Sequence, residues 1–150
     1  MKTILIASDH AGFVLKENLK RYLAKMKIKV RDLGTHSADS CDYPVFASEL
    51  AEKISRKNYK KGILICKSGI GNSIVANRYP GVRAALCCNE LAAQLSREHN
   101  DSNVLVLGSG FVSKPKAERI VKVWLKTGFA GGRHRRRLNC IKKIEKKIGR

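Results

Sequence analysis

Long apolar runs are missing from this sequence of 150 residues. The stretches Ile4 to Ala7 and Ile63 to Cys66 stop well short of the roughly 20 residues that a membrane-spanning helix needs, so no transmembrane segment is expected. The N-terminus carries one lysine, Lys2, but no apolar stretch ahead of a small-residue cleavage site, so a secretory signal is not expected and the compartment is expected to be the cytoplasm. A regular cysteine framework is missing as well. The five cysteines, Cys41, Cys66, Cys87, Cys88 and Cys140, are odd in number, lack a CxxC pair and include two adjacent residues. That pattern argues against a disulfide scaffold and against a zinc site, and the five read as reduced thiols. No internal repeat or low-complexity linker interrupts the chain.

Acidic residues are scarce. Only 12 Asp and Glu stand against 31 Lys and Arg, a formal charge of +19. Such an excess attracts anions, whether nucleic acid, acidic lipid or phosphorylated metabolites, and composition does not choose among them. A general bias toward lysine would leave much of the charge as solvated surface. Aromatic residues amount to 6% and no DNA- or RNA-reading motif is present, which argues against nucleic acid as the main partner despite the Arg133 to Arg137 run. The apolar fraction of 43% suffices for one sizeable core, so a single domain over residues 1–150 is expected.

What is present alternates. Thr3 to Ser8, Lys29 to Leu33, Gly62 to Cys66, Val82 to Cys87 and Val104 to Leu107 read as strands. Between the first two, Val14, Leu15, Leu19, Tyr22, Leu23 and Met26 recur at helical spacing, with Lys16, Lys20 and Lys25 placed among them. Pro44 opens a second helix whose buried face is Phe46, Leu50 and Ile54. After the loop Lys67 to Asn72 a third helix runs through Ala76 and stops at Pro80 and Gly81; Leu91 to Arg97 and Pro115 to Lys126 supply two more. Strands interleaved with helices in this way indicate βαβ units, hence an α/β fold with a parallel sheet covered on both faces. Beyond Gly131-Gly132, a final helix lined by Leu138, Ile141, Ile144 and Ile148 has no partner strand. It either caps its own domain or lies across a second subunit.

In an open α/β sheet, ligands collect beyond the carboxyl ends of the strands. If the first and third strands are neighbours, Asp9 and His10 converge with Cys66 on one crevice. The loop Lys67-Ser68-Gly69-Ile70-Gly71-Asn72 brings close-approaching backbone N–H groups to a helix N-terminus, a suitable cradle for an oxyanion. The same placement favours the thiolate of Cys66 over its thiol, which makes Cys66 a candidate base; the alternative is a small apolar residue closing a buried strand. The glycine loop lacks the Gly-Lys-Ser/Thr ending of a nucleotide P-loop, and Ile74 stands where a dinucleotide fingerprint needs its third glycine. Asp9 has an alternative role in capping the next helix, and His99 one as a cation at a helix C-terminus. His99 and Asn100 follow a helix, and Arg133 and Arg137 follow the last crossover, so all four belong at the far edge of the sheet from Cys66. If both groups serve one reaction, a second subunit must bring them together, as a two-fold dimer does.

The motifs Ser8-Asp9-His10-Ala11-Gly12, Asp42-Tyr43-Pro44, Cys66 with Ser68-Gly69-Ile70-Gly71, Ala76-Asn77, His99-Asn100-Asp101 and Gly131-Gly132-Arg133-His134, in this order and spacing, resemble the type B ribose-5-phosphate isomerases across nearly the whole chain. The resemblance implies a Rossmann-like three-layer α/β/α sandwich with five parallel strands in the order 2-1-3-5-4. It implies interconversion of D-ribose 5-phosphate and D-ribulose 5-phosphate through a cis-enediol, with neither metal nor organic cofactor, in a homodimer or tetramer with shared sites. Carried over residue by residue, Cys66 moves the proton between C1 and C2, Ser68 handles protons on the sugar oxygens, and the backbone N–H groups of Gly69, Ile70, Gly71 and Asn72 hold the enediolate. His99 of the other subunit opens the furanose ring. Asp9 and Asn100 bind the sugar, while His10, Arg133 and Arg137 neutralise the phosphate, a task to which the planar guanidinium fork is suited.

Three departures stand out. The family usually has Gly-Thr-Gly after the cysteine, where this chain has Lys67-Ser68-Gly69; Ser68 keeps the hydroxyl, and Lys67 either adds a phosphate contact or points to solvent. Many relatives carry an arginine where this chain has Gly110, so one phosphate contact is missing or replaced. One branch uses a loop glutamate in place of the cysteine; with Cys66 present and Asn72 near that position, this chain falls in the cysteine branch. Galactose-6-phosphate isomerase subunits share the fold but split the active residues between two different chains, whereas Cys66 and His99 occur here together. That favours the pentose enzyme, with allose 6-phosphate a conceivable side substrate.

Overall fold

Three five-residue segments, Ile-Leu-Ile-Ala-Ser, Gly-Ile-Leu-Ile-Cys and Val-Leu-Val-Leu-Gly, are apolar on both faces, and a strand of that kind is stable only where both faces are covered. In the computed structural model, which describes residues 3–150, they are β1 (Ile4–Ser8), β3 (Gly62–Cys66) and β5 (Val104–Gly108), buried along their whole length. Lys2, which entered the reading of the N-terminus, lies outside the described residues. The shorter, half-exposed β2 (Val30–Asp32) and β4 (Ala84–Leu86) form the edges. All pairings are parallel and the order is β2-β1-β3-β5-β4, as the resemblance implies.

Alternate residues of the strands feed two cores, because successive side chains of a strand leave on opposite faces. Ile6, Ile63, Ile65, Leu105 and Leu107 meet α1 (Phe13–Lys25), α4 (Glu90–Asn100) and α5 (Lys114–Lys126) through Leu15, Leu19, Leu23, Ala93, Ile120 and Trp124. Leu5, Ala7, Leu64, Val104 and Val106 meet α2 (Tyr43–Ser55) and α3 (Ile70–Ala76) through Leu50, Ala51, Ile54 and Ala76. The result is the expected α/β/α sandwich.

Several boundaries differ from the sequence reading. The loop after Cys66 turns helical at Ile70, and α4 extends to Asn100, so His99 and Asn100 form its last turn rather than following it. On α1 the buried stripe is Leu15, Leu19 and Leu23, spaced at i, i+4 and i+8. Val14 falls off that stripe and is 68% exposed, while Lys16, one of the lysines set among the apolar residues, is fully buried. Its ammonium is held by both oxygens of Asp32, at 2.7 and 2.6 Å, and Lys20 shares the same carboxylate. The ion pair ties α1 to the end of β2.

The last helix, α6 (Arg133–Lys147), lies outside the layers. Polar contacts tie it to its own domain: Gly81 N–H donates to Glu145 Oε1 at 2.9 Å, and just before the helix Ala130 N–H donates to the Glu98 carbonyl at 3.0 Å. Ile141, Ile144 and Ile148 stay exposed and face a groove of about 430 Å³ whose other wall includes Ala84 and Ala85 of the edge strand β4.

Burial alone would raise the Asp32 pKa, but the hydrogen bonds from Lys16, Lys20 and the Gly34 N–H outweigh it and hold the carboxyl below the usual value. A depressed carboxylate stabilises the fold fully above its unfolded pKa, near 3.8, and the contribution disappears as pH falls through the folded value. Asp32→Asn leaves the buried Lys16 ammonium with only the partly exposed Glu17 carboxylate, 3.3 Å away, and is expected to cost about 3 kcal/mol. Denaturant melts at pH 7 check the loss, and the variant should also lack the wild type's stability decline below pH 4.

Candidate active site

Cys66 ends the central strand, flanked on one side by the exit of β1 and on the other by the exit of β5. Asp9 N–H donates to the Ile65 carbonyl at 3.3 Å and Ser109 N–H to the Cys66 carbonyl at 2.8 Å, while Ser109 Oγ reaches across to Ala11 O at 2.9 Å. Gly12 is required for this closeness, since a Cβ there would stand 2.6 Å from the Ile65 carbonyl oxygen. Asp9, His10 and Cys66 therefore converge as the strand order demands.

The thiol is 4% exposed. Gly69 N–H donates to its Sγ at 3.2 Å, a geometry reached because Gly69 adopts φ +80, a conformation that L side chains rarely take. Gly69 is also the N-cap of α3. Ile70 N–H donates to Ser68 Oγ at 3.1 Å, which leaves the Ser68 hydroxyl proton free to donate. Of the four N–H groups expected to form the cradle, Gly69 and Ile70 are thus already engaged; those of Gly71 and Asn72, in the first helical turn, meet no other protein acceptor among the described residues. Gly71 packs under the Tyr43 ring, where a Cβ would lie 2.4 Å from Cζ. Two buried polar side-chain atoms among the described residues lack a partner, Ser8 Oγ and Asn72 Nδ2. They belong to the β1 end and the first turn of α3, on either side of Cys66.

Asp9, 7% exposed, does cap the turn into α1: its Oδ1 accepts from Gly12 N–H at 3.0 Å. Its second oxygen remains for a ligand. His10 Nδ1 accepts from the Cys41 N–H at 3.2 Å, so the neutral ring carries its proton on Nε2. Lys67 is exposed, and its stem rests over Gly110, with Cε 3.1 Å from the position a Cβ on Gly110 would take. Among the segments that follow the five strands (residues 9–12, 33–42, 67–69, 87–89 and 109–113) Lys67 is the sole lysine or arginine.

The other four expected residues lie elsewhere. Asn103 O accepts from the N–H of Gly62, the first residue of β3, which places the end of α4 beside the start of the strand that Cys66 closes. Four strand rises of roughly 3.3 Å separate the two ends. His99 is half-buried there and Asn100 exposed. Arg133 and Arg137, both exposed, stand one turn apart on α6, on the same helix face by their i, i+4 spacing. Between them in sequence lies His134, to which no role was assigned; its ring stacks on His99, with centroids 4.2 Å apart and planes at 12°. Sequence spacing alone could not reveal that contact, since it joins two helices.

The profile of the family described as Ribose/Galactose Isomerase matches residues 4–141. The chain belongs to the ribose/galactose isomerase family. It is 43% identical to ribose-5-phosphate isomerase B of Escherichia coli strain K12, over 98% of this chain and 99% of the relative. Among solved structures it is similar to the Clostridium thermocellum ribose-5-phosphate isomerase B, with a TM-score of 0.95 and 46% identity over 97% of this chain and 99% of the other. It is also similar to the Mycoplasma genitalium enzyme with bound ribulose-5-phosphate, with a TM-score of 0.92 and 42% identity over 96% of each chain.

The isomerase fold leaves no room for a side chain at residue 69. In Gly69→Ala the new Cβ would meet Leu86 Cδ1 at 2.5 Å and the Leu107 carbonyl carbon at 3.2 Å in a left-handed backbone. A loss of about 1–3 kcal/mol in chemical denaturation is expected, together with loss of turnover as the N–H swings away from the sulfur.

Proposed function

We propose that this chain is an aldose–ketose isomerase interconverting D-ribose 5-phosphate and D-ribulose 5-phosphate. The observation that carries the reading is the thiol of Cys66 under the Gly69 N–H, next to Asp9 and His10, in a chain so similar to enzymes of that name. In this reading Cys66 takes the proton from one of C1 and C2 and returns it to the other. The Gly69 N–H gives the charged form of the sulfur a hydrogen bond. The free N–H groups of Gly71 and Asn72 stabilise the negative oxygen of the enediolate, the term that commonly contributes most in such sites. Ser68 passes a proton between the sugar oxygens, and the free oxygen of Asp9 holds a hydroxyl.

The phosphate meets His10 Nε2, the ammonium of Lys67 and, from a second copy of the chain, Arg133 and Arg137. His99 of that second copy opens the furanose ring and its Asn100 binds the sugar. A homodimer is supported by the separation of the two groups within one chain and by the unpartnered apolar residues on α6. Because Cys66 and His99 share one sequence, two identical chains suffice, which favours the pentose over the galactose reading. Cytoplasmic pentose phosphate metabolism is the setting that this reading carries with it.

Purified protein should interconvert the two pentose phosphates, with a loss of several orders of magnitude in kcat for Cys66→Ala; turnover of galactose 6-phosphate or allose 6-phosphate in their place would replace the substrate assignment. Lys67→Met keeps the stem over Gly110 and removes the charge. It should raise KM about tenfold, the scale of one charge-assisted hydrogen bond, with kcat little changed. An unchanged KM would return Lys67 to the solvated surface.

A further inference from the structure

A helix docks through the side chains it buries, and α6 buries one. Of its residues Arg133–Lys147, His134 alone is buried, at 8% exposure, although Arg133, Arg135, Arg136 and Arg137 around it are all exposed. What it packs against is not the apolar core but the ring of His99, nearly parallel at 4.2 Å. The entry is built for this contact. Gly131 and Gly132 both have positive φ, +70 and +54, and the chain just before them is pinned to α4 by the Ala130 N–H bond to the Glu98 carbonyl. An apolar side chain would fill such a spot without the cost of burying a polar ring.

Burial, followed by the charges of His99, Arg133 and Arg137 and opposed by Glu98, holds His134 below the usual imidazole value. It is therefore neutral near pH 7. A neutral ring can stack on either protonation form of its neighbour without adding charge beside the two arginines.

We propose that His134 is a positioning residue for the isomerase reaction: by stacking on His99 it fixes the plane of that imidazole and locks it to the helix turn that carries Arg133 and Arg137. Phosphate capture and ring opening are thereby held in one rigid unit, so that a sugar anchored by its phosphate presents its ring oxygen to His99 in a fixed geometry. The proposal rests on the reading that His99 opens the furanose ring.

That dependence dictates the test. Ribose 5-phosphate must be ring-opened before its C2 proton can move. Ribulose 5-phosphate is already open, because the oxygen that could close a five-membered ring bears the phosphate. Two reactions are followed for each variant: turnover of ribose 5-phosphate, and exchange of the C1 hydrogen of ribulose 5-phosphate with solvent deuterium. His134→Leu is expected to lower kcat for the aldose roughly tenfold or more, with little change in KM and with C1 exchange retained. His134→Phe, a flat ring of similar width, should recover most of the lost kcat. Thermal melts establish that both variants are folded. An equal loss of both reactions in folded His134→Leu, the absence of any loss, or a failure of His134→Phe to recover kcat would overturn the proposal. His99→Asn is run in parallel; if it does not lose aldose turnover selectively, the ring-opening role of His99 falls, and the positioning role of His134 with it.

Discussion

A parallel sheet delivers every strand end to the same edge, and the chemistry of this chain depends on that constraint. Because β3 lies between β1 and β5, Cys66 leaves the core with Asp9 and His10 on one side and Ser109 and Gly110 on the other. The crevice is narrow because glycine lines it at Gly12, Gly69 and Gly71, each position holding a neighbouring group where a Cβ would stand. The hydrogen bond from Gly69 N–H to the sulfur follows from the same geometry. The N-terminus of α3 needs an acceptor for its free N–H groups, and the side chain that ends the preceding strand is within reach.

The same polarity of the sheet sends α4 back to the opposite edge, where it ends in His99 and Asn100 and meets the first turn of α6. Cations follow this division. Lys67 is alone among the strand exits, whereas the strand starts are crowded with basic groups: burial, and then the charge of Arg97, push Lys61 down to about 8, and Arg83 and Arg97 both bond to Asp101. Most of the +19 charge thus lies away from the thiol. In the proposed reading an anionic substrate is attracted to the molecule as a whole and held at the crevice by few groups, so the net charge bears on encounter more than on selectivity.

Much of this was legible in the sequence. The three fully buried strands are written as unbroken apolar segments, and Gly69, three residues after a strand-ending cysteine, marks the cradle. The strand order of the β5 and β4 edge was not readable from pattern, because two crossovers of similar length permit either placement; it came with the family resemblance. The burial of Lys16 is not legible for a physical reason: spacing shows that it sits beside the apolar stripe, but not that Asp32, 16 residues away, meets it. The stack of His99 on His134 escaped for the same reason. Tertiary pairing between polar side chains leaves no periodic trace, whereas burial of apolar ones does.

In the proposed dimer each active centre takes its thiol from one chain and its ring-opening histidine from the other. Mixing Cys66→Ala with His99→Asn protein, after brief unfolding and joint refolding, tests it most directly. Each variant alone should turn over almost no ribose 5-phosphate. Random pairing makes half the dimers mixed, each with one intact centre, so activity should return to about a quarter of the wild-type level. A mixture as inactive as its components, in protein that has refolded as dimers, would mean that Cys66 and His99 of the same chain work together and would contradict the shared centre.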